Sequence, residues 1–241
     1  MSVIACIPAR GGSKGVFKKN IKIFNGHPLI GYTIFAAKQS KHIDRVIVST
    51  DDEEIAEVAK EYGAEVPFLR PAELAQDCTP DRPVIDHLLE ELKSQKHNSE
   101  LLLWLRPTTP FKKSVFIDDC IEKIQKNEDY TSLRTVTEVQ GKAHPYWVFK
   151  EEKGKLKEFV EGIKFKDYYQ RQLLPKCYSI NGLVDVIRPN SLNGTIDCFG
   201  ECVGFLEINE KYTLDIDSER DFSFGEYLLS KDIELAELLN N

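Results

Sequence analysis

Both of the common glycine-rich nucleotide signatures are missing from this chain. Neither G-x-x-x-x-G-K-[ST] nor G-x-G-x-x-G occurs, which argues against a P-loop NTPase and against a dinucleotide Rossmann site. Paired cysteines are missing too. Cys6, Cys78, Cys120, Cys177, Cys198 and Cys202 form no C-x-x-C, and only Cys198 and Cys202 lie close together. Several fall in apolar runs, so reduced thiols are expected rather than disulfides or zinc. Positive charge is in deficit, with 32 Lys and Arg against 39 Asp and Glu and a net charge of −7, which disfavours duplex nucleic acid as a partner. No apolar run approaches the ~20 residues of a membrane span and no leader pattern stands at the start. The expectation is therefore a cytoplasmic protein with no membrane association. The five histidines sit in no motif, and no Ser-His-Asp or Cys-His arrangement is visible.

Against these absences stands residues 4–20, IACIPARGGSKGVFKKN. A short apolar run stops at Pro8 and opens into a loop with glycines and basic side chains. That order reads as a first buried strand delivering a phosphate cradle to the carboxyl edge of a sheet. Gly11, Gly12 and Gly15 allow close backbone approach, while Arg10, Lys14, Lys18 and Lys19 supply the charge that a polyphosphate needs. The segment resembles the A-R-G-G-S-K-G-x-x-x-K-N loop of the acylneuraminate cytidylyltransferase family, the CMP-sialic acid synthetases and their relatives. The resemblance implies that Arg10, Gly11, Gly12, Ser13, Lys14, Lys19 and Asn20 hold the triphosphate of an NTP, by resemblance CTP. Phe17-Lys18 departs from the family's usual Pro-Arg.

At 241 residues, 41% hydrophobic and 29% charged, the chain suits one sizeable soluble α/β domain. Apolar periodicity predicts helices over 29–39 and 52–62, a further helix carrying Ile85, Leu88, Leu89 and Leu92, and another presenting Ile117, Cys120, Ile121 and Ile124. Strands are predicted at 3–7, 45–50, 65–68, 101–105, 132–137, 180–187 and 201–208, and a last helix at 219–229. The 101–105 run is wholly apolar and hence central. Strand–helix alternation means βαβ units and a mostly parallel sheet. The fold class expected is therefore a Rossmann-like three-layer α/β architecture, which the resemblance narrows to a nucleotide-diphospho-sugar transferase fold spanning 1–241.

Residues 69–81 form a long polar connection, in which Arg70 is either a nucleotide-side arginine, as the resemblance implies, or part of a structural salt bridge. Arg106-Pro107-Thr108-Thr109-Pro110 leaves the central strand as a rigid loop suited to forming a site. From 138 to 174 the helix rhythm gives way to mixed aromatic and basic residues, with a hairpin turning at Gly154. This inserted arm reads as an interface or as a monomeric lid; the resemblance implies a homodimer.

Gln170-Arg171-Gln172-Leu173-Leu174-Pro175, followed by Asn181-Gly182, is similar to the family's R-R-Q-x-L-P and N-G elements. It implies that Arg171 binds the anionic group of the acceptor, with Gln172 and Asn181 beside it. In Leu214-Asp215-Ile216-Asp217, two carboxylates at i and i+2 on a strand would share a face and one hard cation. A helix-cap role explains Asp217 or Ser218 but not Asp215. The resemblance makes Asp215 and Asp217 ligands of Mg²⁺.

These parts assemble into nucleotidyl transfer, with Arg10, Lys14, Lys19 and Asp215 as catalytic residues. The expected reaction joins CTP and a nonulosonic (sialic-acid-like) sugar acid to give the CMP-sugar and pyrophosphate, with Mg²⁺ as cofactor. Three acceptor-side positions depart from the usual sialic acid pattern: Arg106 for Gln, Trp147 for Lys and Asp185 for Tyr. A legionaminate- or pseudaminate-like acceptor is therefore expected, its carboxylate met by Arg171 or Arg106. The alternatives are a sugar-1-phosphate nucleotidylyltransferase, with Arg106 on the acceptor phosphate and Asp185 on an amino-sugar nitrogen, a D-x-D glycosyltransferase, or a non-catalytic sugar-nucleotide binding protein.

Overall fold

The structure, a computed structural model, describes residues 2–192 and 197–239. β1 (Val3–Pro8) is buried along nearly its whole length. A tight hairpin, β2 (Ile23–Phe24) with β3 (His27–Pro28), leads into α1 (Leu29–Lys38), followed by β4 (Arg45–Ser49) and α2 (Glu53–Glu61). Asp52 caps α2, accepting from the amides of Glu54 and Ile55 at 2.9 and 3.1 Å, and so satisfies donors that the first helical turn leaves open. α3 (Asp81–Ser94), β5 (Leu101–Trp104), α4 (Ser114–Gln125) and β6 (Ser132–Glu138) follow. The arm carries the hairpin of β7 (Phe149–Glu152) and β8 (Lys155–Glu158), and the chain returns through β9 (Tyr178–Ile187), β10 (Val203–Glu207), α5 (Glu219–Lys231) and α6 (Ile233–Ala236).

The six-stranded sheet has the order β10-β6-β9-β5-β1-β4. Its pairings are parallel except where β9 lies antiparallel between β5 and β6. The mostly parallel three-layer α/β architecture is thus as expected, with β5 in the middle. Side chains alternate across the sheet as a period of two requires. Val3, Ala5 and Ile7 face a core shared with α1, α2 and α4, whereas Ile4 and Cys6 face α3 through Val84, Ile85 and Leu88. A third cluster packs Phe24, Leu29 and Phe111 against Ile216, Phe222 and Leu229, fastening the C-terminal helices beside the first loop.

Two local expectations need correction. Residues 65–68 form no strand: Glu65 alone bridges Ile47, and Pro67, with no N–H to donate, ends the pairing. Residues 214–217 belong to no strand among the described residues; the Ile216 amide donates to the Thr108 carbonyl at 2.8 Å. Within the arm, most of the aromatics pack on one another instead of standing free. Tyr146 meets His144 and Tyr168, and Phe165 meets Trp147 and Phe149. Leu156, Phe159 and Tyr169 remain exposed. The β7–β8 turn places Lys153 and Gly154 at φ 52° and 74°, the positive pair that a tight two-residue hairpin needs.

Candidate active site

A cleft of about 350 Å³ opens at the carboxyl ends of β1 and β5, where parallel α/β sheets bind ligands. Pro8, Arg10, Ser13, Lys14, Gly15, Lys19 and Asn20 line one side, Arg70 to Asp81 another, and Trp104 to Thr108 the floor, with Asp217 on the rim. The cradle is held open by its own backbone. The Gly11 amide donates to Asp51 at 3.0 Å and Asn20 donates through Nδ2 to the Arg10 carbonyl at 3.0 Å. Gly15 lies so close to the Asp217 carbonyl oxygen that a Cβ there would overlap it, whereas a Cβ on Gly12 meets nothing. Glycine is thus required at position 15 for contact, not for an unusual backbone angle.

The charged side chains are already engaged. Arg10 pairs with Asp77 at 2.9 Å and Lys14 pairs with the same carboxylate. These two cations, with a hydrogen bond from Lys14 foremost, hold Asp77 below the usual carboxylate range. Lys19, only 14% exposed, donates to the Ile216 carbonyl at 2.7 Å and to Asp217 Oδ1 at 3.1 Å, bolting the phosphate loop to the carboxylate segment. Arg70 is buried and donates to Ser49 through Nε at 3.1 Å and to the Ser49 carbonyl, and among the described residues no carboxylate is in ion-pair contact with it. Burial accordingly pushes its guanidinium below the usual range, although Asp51 and Asp81 act in the other direction.

Arg106 and Asp185, two of the positions that depart from the family pattern, pair with each other. Asp185 is fully buried and accepts from Arg106 Nη1 at 2.7 Å and from Arg134 Nε at 2.9 Å. Arg106 also donates through Nη2 to Asp81 at 2.6 Å. Burial works against the Arg106 charge, but Asp185 and Asp81 together outweigh it and hold the guanidinium above its usual value. Arg106 lines the cleft, whereas Asp185, expected beside the substrate, is fully buried and is not among the lining residues. A carboxylate buried at that depth is costly without partners, and the two arginines supply them.

Asp215 and Asp217 are both exposed while Ile216 between them is buried. Asp217 reaches the cleft rim; Asp215 lies outside the lining. Ser218 is the N-cap of α5 in a capping box with Asp221, which assigns the cap to Ser218 and leaves both aspartates free of that duty. Among the described residues no three His, Cys, Asp or Glu side chains cluster as a metal cage. Arg171 and Gln172 lie exposed on the arm, outside the cleft, with the Arg171 guanidinium near Gly141. Asn181 is occupied with Thr135 and Thr137 at 2.6 and 3.0 Å.

Sequence reasoning passed over Asp77, Asp81 and the buried Lys112. Lys112 donates to the Arg106 and Thr109 carbonyls, each at 2.6 Å, and to the Thr109 hydroxyl, fixing the loop that floors the cleft. A lysine two residues beyond the second proline of that loop carried no motif. Only its burial marks it.

Known proteins match this arrangement. A family model described as cytidylyltransferase matches residues 4–238. Over 233 residues the chain is 37% identical to CMP-N,N'-diacetyllegionaminic acid synthase of Campylobacter jejuni, covering 95% of this chain and 96% of that protein. It is 35% identical over 234 residues to post-translational flagellin modification protein B of Campylobacter coli, covering 96% and 97%. In fold it resembles CMP:2-keto-3-deoxy-manno-octonic acid synthetase complexed with CTP, with a TM-score of 0.69 at 14% identity over 96% of this chain and 99% of that one. No helix among the described residues is long and apolar enough to cross a membrane. A basic glycine-rich loop at the carboxyl end of β1, a cleft it shares with the end of β5 and with Asp217, and near full-length matches in sequence place this chain in the cytidylyltransferase family.

Proposed function

We propose that the chain transfers the cytidylyl group of CTP to a nonulosonic sugar acid of the legionaminate or pseudaminate kind, releasing pyrophosphate. The observation that carries this reading is the convergence of Arg10, Lys14, Arg70 and Arg106 on one cleft whose rim holds Asp217. A cavity with that surplus of positive charge suits a polyphosphate joined to an acidic acceptor. The name of the Campylobacter jejuni relative at 37% identity, a CMP-N,N'-diacetyllegionaminic acid synthase, supports the acceptor class.

In the proposed reaction a hydroxyl oxygen of the acceptor attacks the α-phosphorus in line. The new P–O bond forms as the bond to the bridging oxygen of the β-phosphate breaks, and the hydroxyl proton is lost. Arg10 and Lys14 hold the departing pyrophosphate and neutralise its charge. Lys19 keeps Asp217 against the loop, so that carboxylate segment and cradle move as one body. Asp215 and Asp217 fit a divalent cation of the Mg²⁺ type, because such an ion takes few protein carboxylates and completes its shell with water and phosphate. When bound, it would supply charge stabilisation at the α-phosphate. Arg171 would reach an acceptor carboxylate from the arm, with Gln172 and Asn181 near it and Arg106 at the cleft floor; a homodimer closing each site with a neighbour's arm is part of the same proposal.

The test is pyrophosphate release with Mg²⁺ across CTP, GTP, UTP and ATP, against a panel of nonulosonic acids and hexosamine 1-phosphates. Turnover with CTP and a nine-carbon sugar acid is expected. Arg10→Ala, Lys14→Ala and Asp215→Ala should each lower it by ~10²–10³-fold in folded protein. Turnover only with another NTP and a sugar phosphate would overturn the assignment.

A further inference from the structure

The polyphosphate cradle already contains an anion of the chain's own. Asp77 places its carboxylate on Arg10 at 2.9 Å and on Lys14, the two cations best placed to take phosphate oxygens, and it lines the same cleft. Its side chain is 44% exposed, so burial does not force the pairing. Asp77 sits on the 69–81 connection, beyond a short 3₁₀ turn at Ala72–Ala75. That connection is anchored before the turn by Arg70, whose amide donates to the Thr50 carbonyl at 2.7 Å, and after it by the start of α3. Between these anchors the bonds are local: Leu74 to Pro71, Thr79 to Gln76, and the Gln76 side chain to Ala72.

We infer that Asp77 is a stand-in for phosphate, occupying the polyphosphate subsite of the free protein and exchanged for the phosphates of the nucleotide on binding. The inference rests on the proposed NTP reading of the cleft, which it deepens by naming the residue that sets nucleotide affinity. In the free state the carboxylate keeps Arg10 and Lys14 drawn over the cleft, where two unpaired cations would repel each other. In the bound state the same cations turn to phosphate oxygens and Asp77 must withdraw, since a carboxylate beside a triphosphate is unfavourable. Part of the binding energy of the phosphates is therefore used in the exchange, and only ligands that engage Arg10 and Lys14 meet this competition. Arg70, which donates to Ser49 and among the described residues has no carboxylate in ion-pair contact, meets no such competitor.

The experiment titrates inorganic tripolyphosphate calorimetrically, at fixed ionic strength, into wild type, Asp77→Asn, Asp77→Ser and Glu73→Gln. Asp77→Asn keeps the shape and removes the competitor; two exposed pairs of this kind predict tripolyphosphate binding ~3–10-fold tighter. Asp77→Ser should tighten it similarly and guards against a peculiarity of the amide. Glu73→Gln removes one charge from the same connection without touching the cradle and should change affinity by less than about twofold. Unchanged or weaker binding in both Asp77 variants would overturn the inference, as would an equal gain in Glu73→Gln. Pyrophosphate release from CTP by wild type, measured alongside, tests the cytidylyl reading separately: its absence would remove that reading while leaving the tripolyphosphate result to decide the exchange.

Discussion

Replacing Asp185 by Asn removes the one negative charge that Arg134 and Arg106 share beneath the cleft. Asp185 has no exposed side-chain surface, while the two arginines are 16% and 26% exposed. Breaking a buried pair from one side costs about 3–5 kcal/mol, because the remaining charge is left without compensation. Here the cost is moderated. Arg106 keeps Asp81 at 2.6 Å and Arg134 keeps its place 3.7 Å over the Phe199 ring, so about 2–4 kcal/mol is expected for Asp185→Asn. Arg106→Gln alone leaves Asp185 with one arginine and costs about 1–3 kcal/mol. In the Asp185→Asn background the same change removes a cation that keeps only Asp81 as a partner, so its cost should fall by about 1–2 kcal/mol. The double variant is therefore expected to be more stable than the sum of the singles by about 1–2 kcal/mol. Urea unfolding with an unchanged m-value measures this directly. Additivity within about 0.5 kcal/mol would refute the reasoning, since groups that share no partner are expected to add.

Gly15→Ala should force the first loop and the Asp217 backbone apart, lowering stability and reducing kcat by ~10²-fold, whereas Gly12→Ala should leave the melting temperature of the free protein unchanged. Equal melting temperatures for the two variants would refute the close packing at position 15. Lys112→Met strands the Arg106 and Thr109 oxygens to which its side-chain nitrogen now donates, with an expected cost of about 2–4 kcal/mol in chemical denaturation. A loss below 1 kcal/mol would show that the loop holds itself. Thiol labelling near pH 8 should reach exposed Cys78 and Cys202 first. Burial pushes Cys6 up to about 12 and Cys198 up to about 11, so neither offers thiolate at that pH; mass spectrometry that found Cys6 labelled in native protein together with Cys78 would contradict this.

The elements and the cradle were legible in the chain because both are contiguous. The period of Ile55, Val58, Ala59 and Tyr62 gives a helix whatever surrounds it, and α2 lies over Glu53–Glu61 as that pattern requires. The apolar run at 101–105 gives a central strand, because a strand buried on both faces has no polar side to show, and β5 stands between β9 and β1. Arg10, Lys14, Lys19 and Asn20 reach one cleft because a single loop carries them. The antiparallel course of β9 left no trace, since pairing direction depends on how the chain returns from the arm and not on which residues alternate.

What tertiary structure alone decided is the partner of each charge. Arg106 looked like a residue for the acceptor, and Asp185 like a second one. Their pairing spans 79 positions and turns two separate departures from the family pattern into one compensated ion pair. Lys19, read as a phosphate ligand, lines the cleft and also donates to a residue 198 positions away. Asp77 carried no signal in a polar connection until it met Arg10 and Lys14. Backbone preference and hydrophobic period are set by near neighbours along the chain, so sequence determines them. The role of a charge is set by what else has been removed from water beside it, and only the folded chain brings those groups together.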